Sequence, residues 1–378
     1  MTQLLRIAII GAGPGGLTLA RILQQHGVQA TVFEREAHAH ERPQGGTLDL
    51  HVGSGQHAIE CAGLSEAFMG IARYEDQGDR LYDKTGHLIY ATDDTAAQGE
   101  RPEVDRTALR EMLLQSLAGP SVQWGKALQR VQPLEDGTWE LVFEGETVGP
   151  FDLVVGADGT WSRVRPLLSR YQPAYTGLTL VEFGIDSADS RYPALSALVG
   201  PGKMDVQGDG RGLIVQRNAH AHLRAYAMFR VPAGWADATF AFSSPATARA
   251  RLEQEFSGWA PVFTDLIRAS NDLLVARPLY ALPVGHHWPN QNGLTLIGDA
   301  AHVMSPFGGE GVNAAMLDAA ELARHLLSSD DWREAVRAAE TAMFERVIEP
   351  ATHAAEAVAT ALSHVGLELS LEHFKQRL

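Results

Sequence analysis

The sequence has 378 residues, 45% apolar and 20% charged, which is enough for a large core and for two domains or one elaborated one. Its 31 basic and 46 acidic residues give a formal charge of −15, so neither nucleic acid nor an anionic membrane surface is an expected partner. Cys61 is the single cysteine, which excludes an intramolecular disulfide; with no cleavable apolar leader and no run near the roughly 18 apolar residues of a membrane span, a cytoplasmic protein is expected.

Residues 4–10 (LLRIAII) form an apolar run ending at Gly11, the pattern of a buried parallel strand. From Leu17 to His26 the spacing places Leu19, Ile22 and Leu23 on one helical face, and Gly27 closes the helix. Ala30 to Glu34 reads as a second strand, so residues 4–34 make one βαβ unit. Residues 106–118 are an amphipathic helix, and Leu153-Val154-Val155 is a buried strand running into Gly156-Ala157-Asp158-Gly159. Between about 175 and 285 alternating segments such as Leu213-Ile214-Val215 and Leu223 to Val231 predict an inserted sheet domain, interrupted by a helix at 246–256. Leu294 to Ile297 is another buried strand, entering Gly298-Asp299. After Ser328 come about 40 Ala- and Glu-rich residues of helical period, with Pro350 expected to kink or break them.

Three motifs carry chemistry. Gly11-Ala12-Gly13-Pro14-Gly15-Gly16 follows the first strand and opens the first helix, fitting G-x-G-x-x-G. The glycines permit a tight turn and let backbone approach a pyrophosphate at the helix N-terminus. Glu34 ends the second strand about 20 residues on, where a carboxylate suits a free ribose diol and repels a 2′-phosphate. A glycine-rich turn without a ligand is the bland alternative. The bound dinucleotide is NAD or FAD on this evidence alone. Gly156-Ala157-Asp158-Gly159-Thr160-Trp161-Ser162-Arg163-Val164-Arg165 and Gly298-Asp299-Ala300-Ala301-His302 lie far downstream, and a plain NAD dehydrogenase needs neither. Taken singly, Asp158 also reads as a turn residue and Asp299 as a helix N-cap.

In this order the three motifs resemble the single-component FAD-dependent aromatic hydroxylases of the para-hydroxybenzoate hydroxylase type. The resemblance implies that Asp299 bonds the ribityl chain of FAD. It implies that Pro306-Phe307-Gly308-Gly309-Glu310-Gly311-Val312-Asn313 carries the flavin's pyrimidine edge onto a helix start, where N–H groups and the helix dipole stabilise negative charge near N1 and the C2 carbonyl. Over nearly the whole chain a further likeness is to the tetracycline-inactivating flavin monooxygenases. It rests on Gly45-Gly46-Thr47-Leu48-Asp49-Leu50-His51, on Gly53-Ser54-Gly55-Gln56, and on Pro102-Glu103-Val104-Asp105-Arg106 with Leu109-Arg110. That likeness implies Arg35 on the adenosine part of FAD, Asp49 and Arg106 further along it, and Arg42 at an NADPH position. Arg35 and Arg42 also read as solvated surface charges. Arg106 stands at a helix start against the macrodipole, which suggests an anionic partner. The chain departs from the group where Glu182, Lys203 and Arg224 stand by eye in place of a substrate-lining Gln, Arg and His, and where a GQG-type turn reads Gly309-Glu310-Gly311.

The expected architecture is α/β: a Rossmann-like FAD-binding domain (1–74 with 100–172 and 286–328), an inserted β-sheet substrate domain (75–99 with 173–285) and a C-terminal helical segment (329–378). The cofactor set is Gly11, Gly13, Pro14, Gly15, Gly16, Glu34, Arg35, Arg42, Asp49, Arg106, Asp158, Asp299, Pro306, Gly309, Gly311, Val312 and Asn313. The substrate set is Glu182, Lys203, Arg224 and Phe307. His51, His302 and the pair His286-His287 match no HxxxH, HExxH or cysteine-assisted pattern, so no metal is expected and surface or packing roles are assigned. No Gly-x-Ser-x-Gly supports a serine hydrolase. The expected activity is a monooxygenation of an aromatic or polycyclic small molecule through a flavin C4a-hydroperoxide, with NADPH (or NADH) as a transient reductant, O2 as co-substrate, and no protein nucleophile. Tetracycline is the first candidate; another phenol, quinone or polyketide is the alternative, ahead of an FAD-bearing dehydrogenase or a ligand-sequestering flavoprotein. A monomer is expected.

Overall fold

The computed structural model describes residues 5–41, 45–75, 77–92, 101–363 and 366–376. It divides into two units: Met1–Ala72 with Arg106–Ala174 and Tyr280–Ala355, and Arg73–Asp105 with Tyr175–Leu279 and Glu356–Leu378.

The first unit is built on a five-stranded sheet in the order Leu294–Leu296, Leu153–Gly156, Ile7–Ile10, Ala30–Phe33 and Val122–Gln123, parallel throughout. Ile7–Ile10, Leu153–Gly156 and Leu294–Leu296 are buried along their whole length, which is why they read as unbroken apolar runs. Helix Pro14–Gln25 returns the chain from the first strand to Ala30–Phe33. Gly16 is pressed against the carbonyl of Gly11, and a Cβ at either Gly11 or Gly16 would run into backbone oxygen. A three-stranded antiparallel sheet (Arg130–Pro133, Trp139–Phe143, Glu146–Phe151) shares a core with Phe33, Trp288 and Leu296. The C-terminal part of the unit is helix Glu310–Ser328 followed by Trp332–Arg346, the latter N-capped by Asp331, whose carboxylate accepts from Arg333 and Glu334.

The second unit is a seven-stranded sheet in the order Val275–Ala281, Ala174–Ile185, His222–Arg230, Arg211–Asn218, Gly202–Gly208, Gly78–Asp83 and Leu88–Thr92. Strand alternation gives it two characters. Val181, Phe183, Val215, Ala225 and Met204 face a core completed by Leu252, Phe256 and Phe263, which come from helices Pro245–Glu255 and Pro261–Arg268. The opposite face carries Glu182, Arg224, Gln216, Lys203 and Asp79.

The C-terminal residues differ from the sequence reading, which made 329–378 a segment of its own. Ala335, Val336, Ala339 and Met343 are buried in the first unit, whereas Arg230 of the second unit donates to the carbonyl of Ala361, at 2.8 Å, and to that of Val358. The helical run breaks at Val347 rather than at Pro350. Pro350 lies in the first turn of Ile348–Thr360, where a missing N–H leaves no hydrogen bond unmade.

Replacing Gly16 with Ala is expected to cost about 1–3 kcal/mol of stability through overpacking. Gly13→Ala, at an extended φ of −83° with open space beyond it, is expected to unfold like the parent. Urea unfolding of the two apoproteins measures both, and equal midpoints would remove the close-approach argument.

Candidate functional site

The glycine-rich loop is shaped from below by buried charges. Glu34 accepts from the N–H of Ala12 at 2.7 Å and from that of Glu36 at 3.1 Å, one bond to each carboxylate oxygen. Arg110 donates to the carbonyl of Ala12 at 3.0 Å and to Glu36 at 2.7 Å, with all three groups buried. Glu34 therefore holds the loop and keeps lone pairs to spare for a hydroxyl. Above the loop Gly13 caps the helix and Pro14 opens it, and the first-turn N–H groups have no helical partner, which is an anion-binding arrangement. Arg35 is exposed, with no side-chain hydrogen bond or ion pair among the described residues. Arg42 lies outside the described residues.

The second and third motifs are tied together by Arg165. This buried guanidinium donates to the carbonyls of Thr160, at 2.7 Å, and Ala300, at 3.0 Å. Asp158 accepts from the N–H of Arg163 at 2.7 Å, which fulfils its role as a turn residue. Its other carboxylate oxygen is buried with no hydrogen-bond partner among the described residues, and burial pushes the carboxyl above its ordinary range.

Asp299 is not the N-cap of its short helix; Gly298 is, and Asp299 follows it. Its side chain has an open face, yet burial still raises its carboxyl, against the opposing charges of His302, Arg106 and Arg165. Accessible area and dense surroundings together describe a group on the wall of a cleft. Behind it Asp318 accepts from the Gly298 N–H at 3.0 Å, from His302 Nε2 at 2.6 Å and from Arg346 at 2.7 Å. Burial works against a charge on His302, but the Asp318 carboxylate outweighs it and raises the imidazole; the same contact lowers Asp318 against its own burial.

The turn before helix Glu310–Ser328 completes the site. Gly308 and Gly309 have φ of 99° and 72°, backbone that favours glycine, and Gly309 is the N-cap. A Cβ on Gly311 would stand 3.8 Å from Asp299. The carboxylate of Asp49 lies directly against Gly309, and a Cβ on Gly45 would be 3.1 Å from the Arg106 side chain. Asn313 is fully buried, and its side chain is spent within the protein. It accepts from the N–H of His51 at 2.9 Å and of Gly55 at 3.2 Å, and donates to the carbonyls of Asp49 at 2.9 Å and Gly309 at 3.0 Å. Val312 and Gly311 therefore offer backbone, Asn313 anchors the turn, and Pro306 and Phe307 are its exposed and half-buried shoulders.

The histidines are internal rather than superficial in two of the flagged places. His302 is buried on Asp318, and His286 is buried between Ala301 and Ser169, where burial lowers it. Among the described residues no group of three or more His, Cys, Asp or Glu is placed to hold a metal ion.

In the second unit Glu182 is buried and receives Arg224 together with Arg277, the latter at 2.8 Å. Lys203 lies 3.4 Å from Asp205 and 3.8 Å from Asp79. Sequence reasoning missed Arg277, whose partner is 95 residues away. It also left Arg110, Arg165, Asp318 and Arg346 without roles.

A model of the family described as FAD binding domain matches residues 5–191 and 287–334, more than half of the chain. The chain belongs to that family. Monooxygenase penA of Penicillium thymicola is 32% identical over 372 residues, covering 86% of this chain and 85% of the relative. Klebsiella pneumoniae HpxO, solved with FAD and uric acid, matches with a TM-score of 0.82 at 23% identity, covering 100% of this chain and 93% of that one. The tetracycline destructase Tet(51) matches with a TM-score of 0.73 at 18% identity, covering 99% and 95%. The protein is an FAD-dependent monooxygenase with an α/β fold. Its glycine loop, the unpartnered oxygen of Asp158 and the paired helix starts fit such a cofactor. No helix among the described residues is long and apolar enough to cross a membrane.

The Asp318 network makes a pH prediction. A raised His302 contributes stability that is full below its unfolded value near 6.5 and is lost as pH rises through its folded value. A lowered Asp318 contributes above its unfolded value near 3.8 and loses this as pH falls. The stability gap between the parent and Asp318→Asn is therefore expected to be widest between these two values and to narrow at higher pH, as measured by chemical unfolding in a pH series. A gap that does not vary with pH would separate His302 from Asp318.

Proposed function

We propose that this monooxygenase hydroxylates an aromatic or polycyclic small molecule, drawing electrons from NADPH or NADH and consuming O2. FAD supplies the oxygen-activating chemistry when bound. In this reading the backbone N–H groups of Gly13, Gly15 and Gly16 hold the pyrophosphate across Pro14, which has none to offer, Glu34 takes the ribose diol with Arg35 beside it, and Asp158 and Asp299 bond the ribityl region. Arg106 and Asp49 flank it, and backbone at Gly309, Gly311 and Val312, shouldered by Pro306, meets the pyrimidine edge. The two positive helix ends would hold the negative charge of the pyrophosphate and of the pyrimidine edge respectively, without reorganising. Arg42 is assigned to the reductant from sequence alone; with a single G-x-G-x-x-G, the nicotinamide cofactor docks transiently.

The observation that carries the substrate reading is the polar face of the seven-stranded sheet. Its cations Lys203, Arg224 and Arg277 are matched by Asp79, Asp205 and Glu182, so the face offers directed donors and acceptors without excess positive charge. This favours a ligand with hydroxyl and carbonyl groups over one bearing a full negative charge. Uric acid in the HpxO structure and the name of the Tet(51) neighbour mark the range of small cyclic molecules that related folds take. Tetracyclines remain the first compounds to test, ahead of other phenols, quinones and polyketides. The protein is proposed to act as a cytoplasmic monomer.

Asp299→Ala is expected to weaken FAD binding by about one to two decades, since a hydrogen bond to a charged group contributes roughly 1.5–3 kcal/mol. Fluorescence titration of apoprotein reads this directly; an unchanged dissociation constant would mean that Asp299 holds no part of the cofactor. Lys203→Met and Arg224→Met are expected to raise KM for the substrate while FAD content stays at the parent level, because Arg277 keeps Glu182 partnered in the second variant. Steady-state NADPH oxidation with a substrate panel is the assay, and unaltered KM values in both variants would move the substrate off this face.

A further inference from the structure

The residue between Gly309 and Gly311, glutamate in this chain, touches a histidine on another segment. His51 Nδ1 lies 3.5 Å from Glu310, and His51 Nε2 lies 3.1 Å from Asp49. The imidazole thus bridges two carboxylates, and the bond from its own backbone N–H to Asn313 fixes the segment that carries it. The two ends of the bridge differ in surroundings. Asp49 rests against Gly309 in the turn. Glu310 lines a groove of about 320 Å³ with Ser54, Leu317, Arg346, Glu349 and His353. The charged and titratable groups of the bridge and its groove are therefore Asp49 on its own segment, Glu310 on the long helix, and Arg346, Glu349 and His353 lining the groove beside Glu310.

We propose that Asp49, His51 and Glu310 form a proton relay between the flavin turn and solvent in this groove. A proton on the Glu310 carboxyl passes to Nδ1 of His51 as the Nε2 proton passes to Asp49, beside the pyrimidine edge. The imidazole exchanges one tautomer for the other, one proton is transferred inward in net, and no electrons move. Glu310 then regains a proton from water in the groove. The relay rests on the assignment of the turn to the pyrimidine edge, and its role is to set how fast charge there is neutralised. Asp49 is the terminus beside the cofactor, His51 the carrier, and Glu310 the point of entry from solvent.

The test is a pH-jump on FAD-loaded protein reduced anaerobically with dithionite, following protonation of the bound reduced flavin by absorbance in a stopped-flow instrument. Glu310→Gln is expected to keep its FAD and to slow protonation by roughly 10²-fold, the low end of what a positioned acid–base group contributes. His51→Ala should show the same slowing, and added imidazole should restore its rate but not that of Glu310→Gln. A purely structural role for His51 would give no rescue. Parent-like rates in Glu310→Gln with FAD retained, or slowing in His51→Ala that imidazole leaves unchanged, overturn the relay alone. A wild-type protein that takes up no FAD overturns the relay and the reading of the site together.

Discussion

The site depends on how closely helix Pro14–Gln25 lies against helix Glu310–Ser328. Gly15 sets this distance: a Cβ there would be 2.9 Å from the carbonyl oxygen of Ala315 and 3.4 Å from its side chain. Residues separated by some 300 positions in the sequence thus bring two helix starts into one unit. Gly298, with φ of 61°, completes the contact, since a Cβ there would be 2.7 Å from the Cβ of Ala315. Bulk at any of these positions separates the glycine loop from the Gly298-Asp299 turn, and with it the two positive helix ends that suit a dinucleotide.

Buried carboxylates then fix the loops that the glycines allow. Glu34 holds Ala12, Glu36 holds Arg110, and Asp318 gathers Gly298, His302 and Arg346. Each is costly to remove singly, because breaking a buried pair leaves an uncompensated charge at a typical cost of about 3–5 kcal/mol. Burial raises the carboxyls of both Asp158 and Asp299. Arg165 links the two turns through backbone carbonyls, so it positions both without neutralising either by direct contact.

Much of this was legible in the sequence because the glycine motifs have few physical alternatives. Gly11, Gly13, Gly15 and Gly16 lie between a strand and a helix, and their spacing states the turn, the open approach and the helix contact. The fully buried strands and the inserted sheet were equally readable from apolar runs and alternation. Partners distant in the chain were not readable. Nothing in the local pattern pairs Arg277 with Glu182, or Asp318 with the Gly298 N–H. Asn313 read as a cofactor contact, but its side chain is used to staple Asp49 and His51 to the turn. The break near the C-terminus was attributed to Pro350 because proline is the visible signal, although a proline in the first turn of a helix fits without penalty.

The proposed function stands on insertion of an oxygen atom into a cyclic small molecule. Incubating the FAD-loaded protein and NADPH with a panel of tetracyclines, phenols, quinones and polyketides under isotopically labelled dioxygen, followed by mass spectrometry, tests it most directly. At least one compound is expected to gain a single labelled oxygen atom while NADPH is consumed. A panel in which NADPH is oxidised, only peroxide appears and no compound gains labelled oxygen would contradict it.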